Sequence, residues 1–183
     1  MKGLWLIACA LASPAAGLVI AGDILQETCA GRFVLLDPND GFTVGNDNFN
    51  TCHLYAFDED QNIVLPEPIR VDIGGVDGVI AQGTEVASHY VFFDSLNDTQ
   101  FAYVEFDAPI LGVAAYQDTM GATDFLANTR VTYIGERLRG LEENDEVWID
   151  PDRPERLYVL WAGSSPGDYI RVFTARSEGA AMM

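Results

Sequence analysis

The sequence is poor in positive charge. Lys2 is its only lysine, and nine arginines oppose 28 aspartates and glutamates, so the formal net charge is −18 at pH 7. Proteins that bind nucleic acid neutralise phosphates with lysine and arginine, and binding to anionic membrane surfaces relies on the same side chains. The composition therefore predicts neither nucleic acid nor an anionic membrane surface as a partner.

Histidine is also scarce. His53 and His89 are the only two, which excludes a zinc site built from three histidines. A metal site that combines the cysteines with His53 is an alternative, but it lacks further soft ligands. Hydrophobic residues make up 49% of the chain, which is enough to exclude disorder as the main state.

Long apolar runs are absent except at the N-terminus, where they form part of a targeting sequence. Met1, Lys2 and Gly3 carry one positive charge, the run 4–12 (LWLIACALA) is apolar, and small-x-small tripeptides end at Ala15 and Ala21. These features predict a signal peptide over residues 1–21, with cleavage after Ala21. The remaining domain, 22–183, keeps nine arginines and 28 acidic residues, a formal charge of −19. We expect a secreted or periplasmic bacterial protein that has no membrane contact after cleavage.

Two other interpretations of the leader stay open. Residues 3–21 are nearly long enough to form an uncleaved membrane anchor. The tetrapeptide 6–9 (LIAC) matches a lipoprotein box, but Cys9 leaves too few residues before it for a charged segment and an apolar core.

Cysteine is limited to three residues, and Cys9 lies in the leader. Cys29 and Cys52 remain, an even number in a chain that we expect to reach an oxidising compartment. We predict a disulfide between them. Closing a loop of about two dozen residues stabilises a fold by about 3 kcal/mol in the chain-entropy description.

Short apolar runs alternate with turn residues along the rest of the chain. The ten runs cover residues 32–36, 53–57, 69–73, 86–93, 101–106, 111–116, 130–134, 146–149, 157–162 and 169–174. We expect runs 86–93 and 101–106 to form a hairpin, and residues 123–127 to form one helical turn. The near-regular spacing predicts an all-β fold, an antiparallel β-sandwich or jelly-roll-like single domain.

No residue pattern forms a complete catalytic set. The pentapeptide 163–167 (GSSPG) matches the G-x-S-x-G elbow of α/β-hydrolases, but a strand follows where a helix is required, and both histidines precede it. Ser88 and His89 are neighbours in a strand and point to opposite faces. They therefore cannot act together as nucleophile and base.

Two weaker patterns concern sugars. The acidic stretch 142–152 contains paired carboxylates of the kind that glycosidases use, although acidic residues in consecutive turn positions are usually solvated. Trp148 and Trp161 are able in principle to stack on sugar rings, but their apolar strands predict that both belong to the core.

Asp58-x-Asp60-x-Asn62 has the spacing of the first ligands in a calcium loop. The rest of an EF-hand is missing, because Ile63 replaces the turn glycine and Ile69 replaces the bidentate glutamate. Asp58, Asp60 and Asn62 are candidate calcium ligands in a site of another kind. A solvated acidic loop is the alternative.

Five blocks of the sequence resemble a group of exported bacterial proteins. They are 57–62 (FDEDQN), 80–94 (IAQGTEVASHYVFFD), 106–112 (FDAPILG), 138–141 (LRGL) and 164–172 (SSPGDYIRV). The group contains uncharacterised β-rich proteins of the PEP-CTERM-associated type, and the resemblance implies export and a β-sandwich but no activity. Members of the group often carry a sorting tail that consists of a Pro-Glu-Pro tripeptide, an apolar helix and a basic end. The chain departs from this pattern, because its only Pro-Glu-Pro, at 66–68, is internal and no apolar helix follows.

Two hypotheses about function follow from these patterns. The first is a non-enzymatic binding or extracellular-matrix component, whose partner is an extracellular glycan or protein. The second is a secreted hydrolase that acts on glycans through paired carboxylates. An enzyme needs a cleft with convergent ionisable groups, whereas a binding module presents a flat face with exposed aromatic rings or a loop-bound ion.

The calcium hypothesis is testable by melting. If Asp58, Asp60 and Asn62 bind calcium only in the folded state, millimolar calcium raises the melting temperature above that measured in chelator. Sodium chloride matches the ionic strength, and Asp60→Asn is expected to lose most of the shift. Equal melting temperatures with calcium and with chelator would show that the acidic loop is solvated surface.

Overall fold

A computed structural model describes residues 18–162 and 167–176 of the chain. The predicted leader up to residue 17 and the serines of the G-x-S-x-G match lie outside these residues. The described part contains one short α-helix, α1 (Gln117–Ala122), and 3-10 turns at Pro38–Asp40, Asp124–Leu126 and Glu136–Leu138. None of its helices is long and apolar enough to cross a membrane.

Strands dominate the described residues. They are β1 (Val19–Glu27), β2 (Phe33–Leu35), β3 (Thr43–Val44), β4 (Leu54–Asp58), β5 (Ile63–Val64), β6 (Ile69–Arg70), β7 (Ile73–Gly74), β8 (Val79–Ile80), β9 (Glu85–Phe93), β10 (Thr99–Phe106), β11 (Ile110–Ala114), β12 (Thr132–Tyr133), β13 (Glu146–Ile149), β14 (Arg156–Ala162) and β15 (Asp168–Ala175).

Two sheets pack face to face. The smaller has four antiparallel strands in the order β1-β10-β14-β13, and the larger has the order β2-β4-β9-β15-β11-β7 with β5 joined to β9. Only β2–β4 in the larger sheet and the small pair β3–β12 are parallel among the described strands. The expected all-β sandwich is confirmed, and each of the ten expected runs contains a strand. The expected helical turn at 123–127 is confirmed as the 3-10 turn Asp124–Leu126.

The expected hairpin between residues 86–93 and 101–106 is wrong. β9 belongs to the larger sheet and β10 to the smaller, so the loop between them crosses from one sheet to the other. The turn bends this way because Asp94 and Ser95 are buried between the sheets' ends, and Asp94 accepts a hydrogen bond from the Phe49 amide at 2.9 Å. Each strand then pairs with partners far away in sequence.

The two sheets differ in how they are covered. In β10 and β14 buried residues alternate with half-exposed ones, whereas β9 and β15 are buried almost throughout. One apolar core lies between the sheets, and a second lies on the outer side of the larger sheet, under loops and α1. Alternation is typical of a sheet with one solvated face, so the smaller sheet has an open outer face.

The predicted disulfide is present. Cys29 and Cys52 are bonded, with their Cα atoms 5.8 Å apart and 23 positions apart in sequence. The bond ties the segment after β1 to the residues just before β4. It therefore fixes the entry of the chain into the larger sheet.

A buried charge network attaches the helical layer to the larger sheet. Arg171 on β15 has no exposed surface, and it donates from Nε and Nη2 to the two carboxylate oxygens of Glu59 at 2.6 and 3.0 Å. Its Nη1 donates to the Met120 carbonyl, the Thr123 hydroxyl and Asp124 Oδ1 at 3.0–3.1 Å. Arg171 thus connects a strand of the sheet with α1 and with the 3-10 turn that follows it.

Further donors complete the network. Ser88 Oγ and Tyr133 Oη donate to Glu59 at 2.8 and 2.7 Å, and Arg139 donates to both oxygens of Asp124 at 2.8 and 2.7 Å. Burial alone would raise the pKa of Asp124, but the hydrogen bonds and charges of Arg139 and Arg171 together lower it. Two acids and two arginines balance one another in a region with little water, as a buried charge requires.

Removing one member of this network should be costly. Arg171→Met leaves Glu59 buried without a cation, so we expect a loss of about 3–5 kcal/mol in the free energy of unfolding, measured by chemical denaturation. Arg176→Met removes an exposed arginine that pairs with Glu85, and should change stability by less than about 1 kcal/mol. The double variant Glu59→Gln/Arg171→Met should be less destabilised than Arg171→Met. If the double variant loses as much free energy of unfolding as Glu59→Gln and Arg171→Met lose separately, added together, the two side chains do not stabilise each other.

Candidate functional site

The open side of the smaller sheet carries aromatic rings where a solvated sheet face usually carries charged side chains. Trp148 on β13, Tyr158 on β14 and Tyr103 on β10 are cross-strand partners in a single row. Each is half-exposed, while the residues before and after it on its own strand pack between the two sheets. The row therefore faces solvent on a surface that is three strands wide.

Phe101 lies beside this row and completes what we call the aromatic face: Phe101, Tyr103, Trp148 and Tyr158. The Phe101, Trp148 and Tyr158 rings are nearly parallel, with centroids 5.4–5.8 Å apart and interplanar angles of 18–25°. Tyr103 meets Tyr158 edge-on at 6.2 Å. Aromatic pairs at these distances stabilise one another beyond their burial, so the rings hold a defined surface in the absence of a ligand.

A polar rim borders the aromatic face along one side. The Arg156 guanidinium lies over the Tyr103 ring, with Cζ 4.2 Å from its centroid. It donates to Glu105 Oε1 from Nε at 2.9 Å and from Nη2 at 2.6 Å, and to the Tyr158 hydroxyl from Nη1 at 3.2 Å. Arg153 donates to the same oxygen of Glu105. The rim thus places charged donors and acceptors beside exposed rings.

The two tryptophans have different environments. Trp161 has no exposed surface and stacks on Phe93 at 6.0 Å within the core. The expectation that both are core residues is therefore confirmed for Trp161 and wrong for Trp148. Sequence reasoning also missed Phe101, Tyr103 and Tyr158. Their alternation with buried residues along β10 and β14 is the signal that would have found them, because it puts these three aromatic residues at outward positions.

The three candidate calcium ligands have separate surroundings. Asp58 Oδ1 already accepts from His89 Nδ1 at 2.7 Å and from the Val19 amide at 3.0 Å. Burial, followed by the charge of Glu59, raises the pKa of Asp60. Asn62 has a left-handed backbone with φ 57°, and its Oδ1 is buried without a partner among the described residues. A calcium site here stays a prediction.

Within the described part of the chain, one group of histidine, cysteine or acidic side chains brings three ligand atoms within 4.8 Å of one another. It consists of Cys29, Cys52 and Asp98. Both sulfurs are joined in the disulfide and are not available as thiolate ligands. His53 is not a member of this group.

Ser88 and His89 point to opposite faces, as expected. Ser88 reaches Glu59, while His89 lies between Asp58 and Thr174, with Nε2 2.9 Å from the Thr174 hydroxyl. A carboxylate, an imidazole and a hydroxyl in this order match the connectivity of a catalytic triad. However, His89 and Thr174 have no exposed surface, so no substrate reaches the hydroxyl in this fold. These contacts link three neighbouring strands.

The acidic stretch contributes to a buried carboxyl pair. Asp168, at the start of β15, is 1% exposed. Burial, together with the charge of Asp145 and a hydrogen bond to it, raises its pKa to about 9, and Glu142 and Asp94 add to the shift. Asp168 is therefore protonated at neutral pH. The Asp145 carboxylate accepts from the Ala162 and Glu142 amides at 2.9 and 2.6 Å.

This pair predicts a pH dependence of stability. The pKa of Asp168 is about 9 in the folded chain, against about 3.9 for an ordinary aspartate, so the folded state holds a proton that the unfolded chain releases. The contribution to stability is complete below about pH 4 and is lost as the pH rises to about 9. Asp168→Asn stays neutral, and we expect it to be more stable than the wild type by about 1 kcal/mol or more at pH 8, and less so at pH 5. Parallel melting curves of the two proteins across this range would contradict the assignment.

Comparisons with known proteins give no relative of this chain. No family model matches it, and neither a curated protein nor a solved structure does.

Proposed function

We propose that the protein is an exported, non-catalytic binding module that binds a glycan on the aromatic face. The observation that carries this proposal is the row of Trp148, Tyr158 and Tyr103, half-exposed on three adjacent strands of a sheet face that no element of residues 18–162 and 167–176 covers. Contiguous apolar surface of this kind on a soluble protein is usually a site of interaction.

The chemistry of the face suits sugars. One side of a pyranose ring presents C–H groups that pack against an aromatic ring, while the hydroxyls at its edge need hydrogen-bonding partners. Tyrosine and tryptophan combine an apolar body with a polar end, and so suit an interface that is partly wet. Arg156, Glu105 and Arg153 supply charged donors and acceptors at the margin.

Charge narrows the class of glycan. With 28 acidic residues against ten basic ones, the long-range field of the protein repels polyanions. A neutral glycan or one with amino sugars is therefore favoured over a sulfated or uronic-acid-rich one. The same field argues against nucleic acid, although bases also stack on aromatic rings.

Export is part of the proposal. A leader with a charged start, an apolar core and small residues at its end supports it, and so does a disulfide, because such bonds persist in oxidising compartments. A glycan outside the cell is accessible to a protein with these properties.

The hydrolase hypothesis is less favoured. The paired carboxylates of Asp145 and Asp168 are hydrogen-bonded to each other, and Asp168 is 1% exposed. Glycosidases use carboxyl groups about 5–9.5 Å apart on either side of an accessible bond. Two carboxyl groups that share a hydrogen bond, one of them buried, do not have that arrangement.

A glycan array with the purified protein, followed by titration of the best ligand, tests the proposal. Trp148→Ala should weaken binding by at least about tenfold, since removal of a central aromatic contact typically costs ~2 kcal/mol. Phe125→Ala is the matched control, because this ring is 47% exposed in the 3-10 turn on the far side of the larger sheet. It should leave the affinity unchanged. Failure to bind any glycan, or equal loss in both variants, would refute the proposed role of the aromatic face; capture of a protein ligand by the same face would replace the glycan.

A further inference from the structure

Two carboxylates hold the main chain at the start of β1. The Leu18 amide donates to Asp107 Oδ1 at 2.6 Å, and the Asp107 amide donates back to the Leu18 carbonyl at 3.0 Å. The Val19 amide donates to Asp58 Oδ1 at 3.0 Å. The Val19 side chain is 3% exposed within the core between the sheets. The folded domain therefore uses its chain from Leu18 onward.

Cleavage after Ala21 conflicts with these contacts. It would remove the residues that pair with Phe106 and Glu105 in the smaller sheet, together with the buried Val19 side chain. Asp58 and Asp107 would each lose an amide donor. Cleavage after Ala15 would keep all these contacts but would leave two residues ahead of Leu18.

The bond between Gly17 and Leu18 also satisfies the small-x-small rule. Ala15 and Gly17 stand at positions −3 and −1 relative to this bond, and the residues before them are Ser13 and Pro14. Small side chains at these two positions are what the cleavage site of a signal peptide requires. The sequence thus offers a third site, and the residue that follows it, Leu18, is the one that exchanges hydrogen bonds with Asp107.

We infer that the mature chain begins at Leu18, and that its new α-ammonium group forms an ion pair with Asp107. The inference rests on the export that is part of the proposed function. A signal peptidase hydrolyses the Gly17–Leu18 amide: water adds its hydroxyl to the Gly17 carbonyl carbon, the C–N bond breaks, and Leu18 leaves as an amine. Gly17 ends as a carboxylate, and the amine takes up a proton, since the ordinary pKa of an α-amino group is about 8.

Cleavage changes the chemistry at Asp107. An uncleaved chain presents one neutral N–H to Oδ1, whereas the mature chain presents an ammonium group with a full positive charge. The contact then becomes a charge-assisted hydrogen bond, which is shorter and stronger than a neutral one. A positive charge at this point also meets the carboxylate of Asp58, which accepts from the next amide along the chain.

The mass of the exported protein tests the cleavage site. The full chain is produced with its own leader in a bacterial host, recovered outside the cytoplasm, and examined by intact mass and N-terminal sequencing. We expect a chain that starts at Leu18. Gly17→Leu should block or displace cleavage, whereas Ala21→Leu, the same type of change three residues inside β1, should leave the start at Leu18. A start at Ala16 or Gly22 would overturn the inference and leave export standing. A chain retained in the cytoplasm with its leader would overturn both.

The ion pair has its own test in the exported protein. Asp107→Asn keeps the oxygen that accepts from Leu18 but removes the negative charge, and we expect the melting temperature to fall by about 1–3 °C. Asp77→Asn is the control: it removes an exposed carboxylate at a left-handed position that asparagine tolerates, and so measures the general relief of repulsion. If Asp107→Asn is as stable as Asp77→Asn, the ion pair does not exist.

Discussion

A guanidinium group without access to water organises the larger sheet. Arg171 lies on a strand that is buried almost throughout, and transfer of an isolated charge to such a place is prohibitively unfavourable. It is tolerated because Glu59 accepts from two of its nitrogens and Asp124 and the end of α1 accept from the third. Glu59 directly follows β4 of the same sheet, whereas Met120, Thr123 and Asp124 belong to the helical layer that covers the sheet. Formation of the sheet is therefore coupled to formation of the layer that covers it.

This requirement explains why the two sheets present different outer faces. With α1, its following turn and the loops held over it, the outer side of the larger sheet becomes a second core containing Tyr55, Phe57, Phe92 and Phe173. No comparable layer covers the smaller sheet among the described residues, and its outward rings stay half-exposed. The same residue types thus serve stability on one side of the molecule and remain available for contact on the other.

Much of the fold is predictable from local pattern, because strands, turns and a disulfide each leave a short-range signature. The expected runs and the Cys29–Cys52 bond follow from such signatures. Pairing does not. Residues 86–106 have the local pattern of a hairpin. The burial of Asp94 nevertheless directs the chain from one sheet to the other, and no pattern within the segment predicts this crossing. β1 was not expected either, because its start overlaps the apolar leader.

The sequence predicts that aromatic residues are available for stacking on a sugar, but it does not predict which of them lie on the exposed face. An apolar strand does not reveal which of its faces another layer will cover, and Trp148 and Trp161 therefore have similar local patterns with opposite outcomes. Asp168 shows the same difficulty for charge. It is an ordinary acidic residue at the head of a strand, and its burial together with the approach of Asp145 from a distant loop raises its pKa to about 9.

The position of β1 has a consequence for the order of events as the chain folds. β1 comes early in the sequence, but its ladder partner β10 ends at Phe106, so its backbone groups wait for about half of the chain. Non-local pairing of this kind slows folding, because a long loop must close before any contact rewards it. Cys29 and Cys52, by contrast, are separated by 23 positions and can be linked while the smaller sheet is still one strand. The early covalent link restrains the segment next to β1 through the interval in which an unpaired strand edge is most exposed to association with other chains.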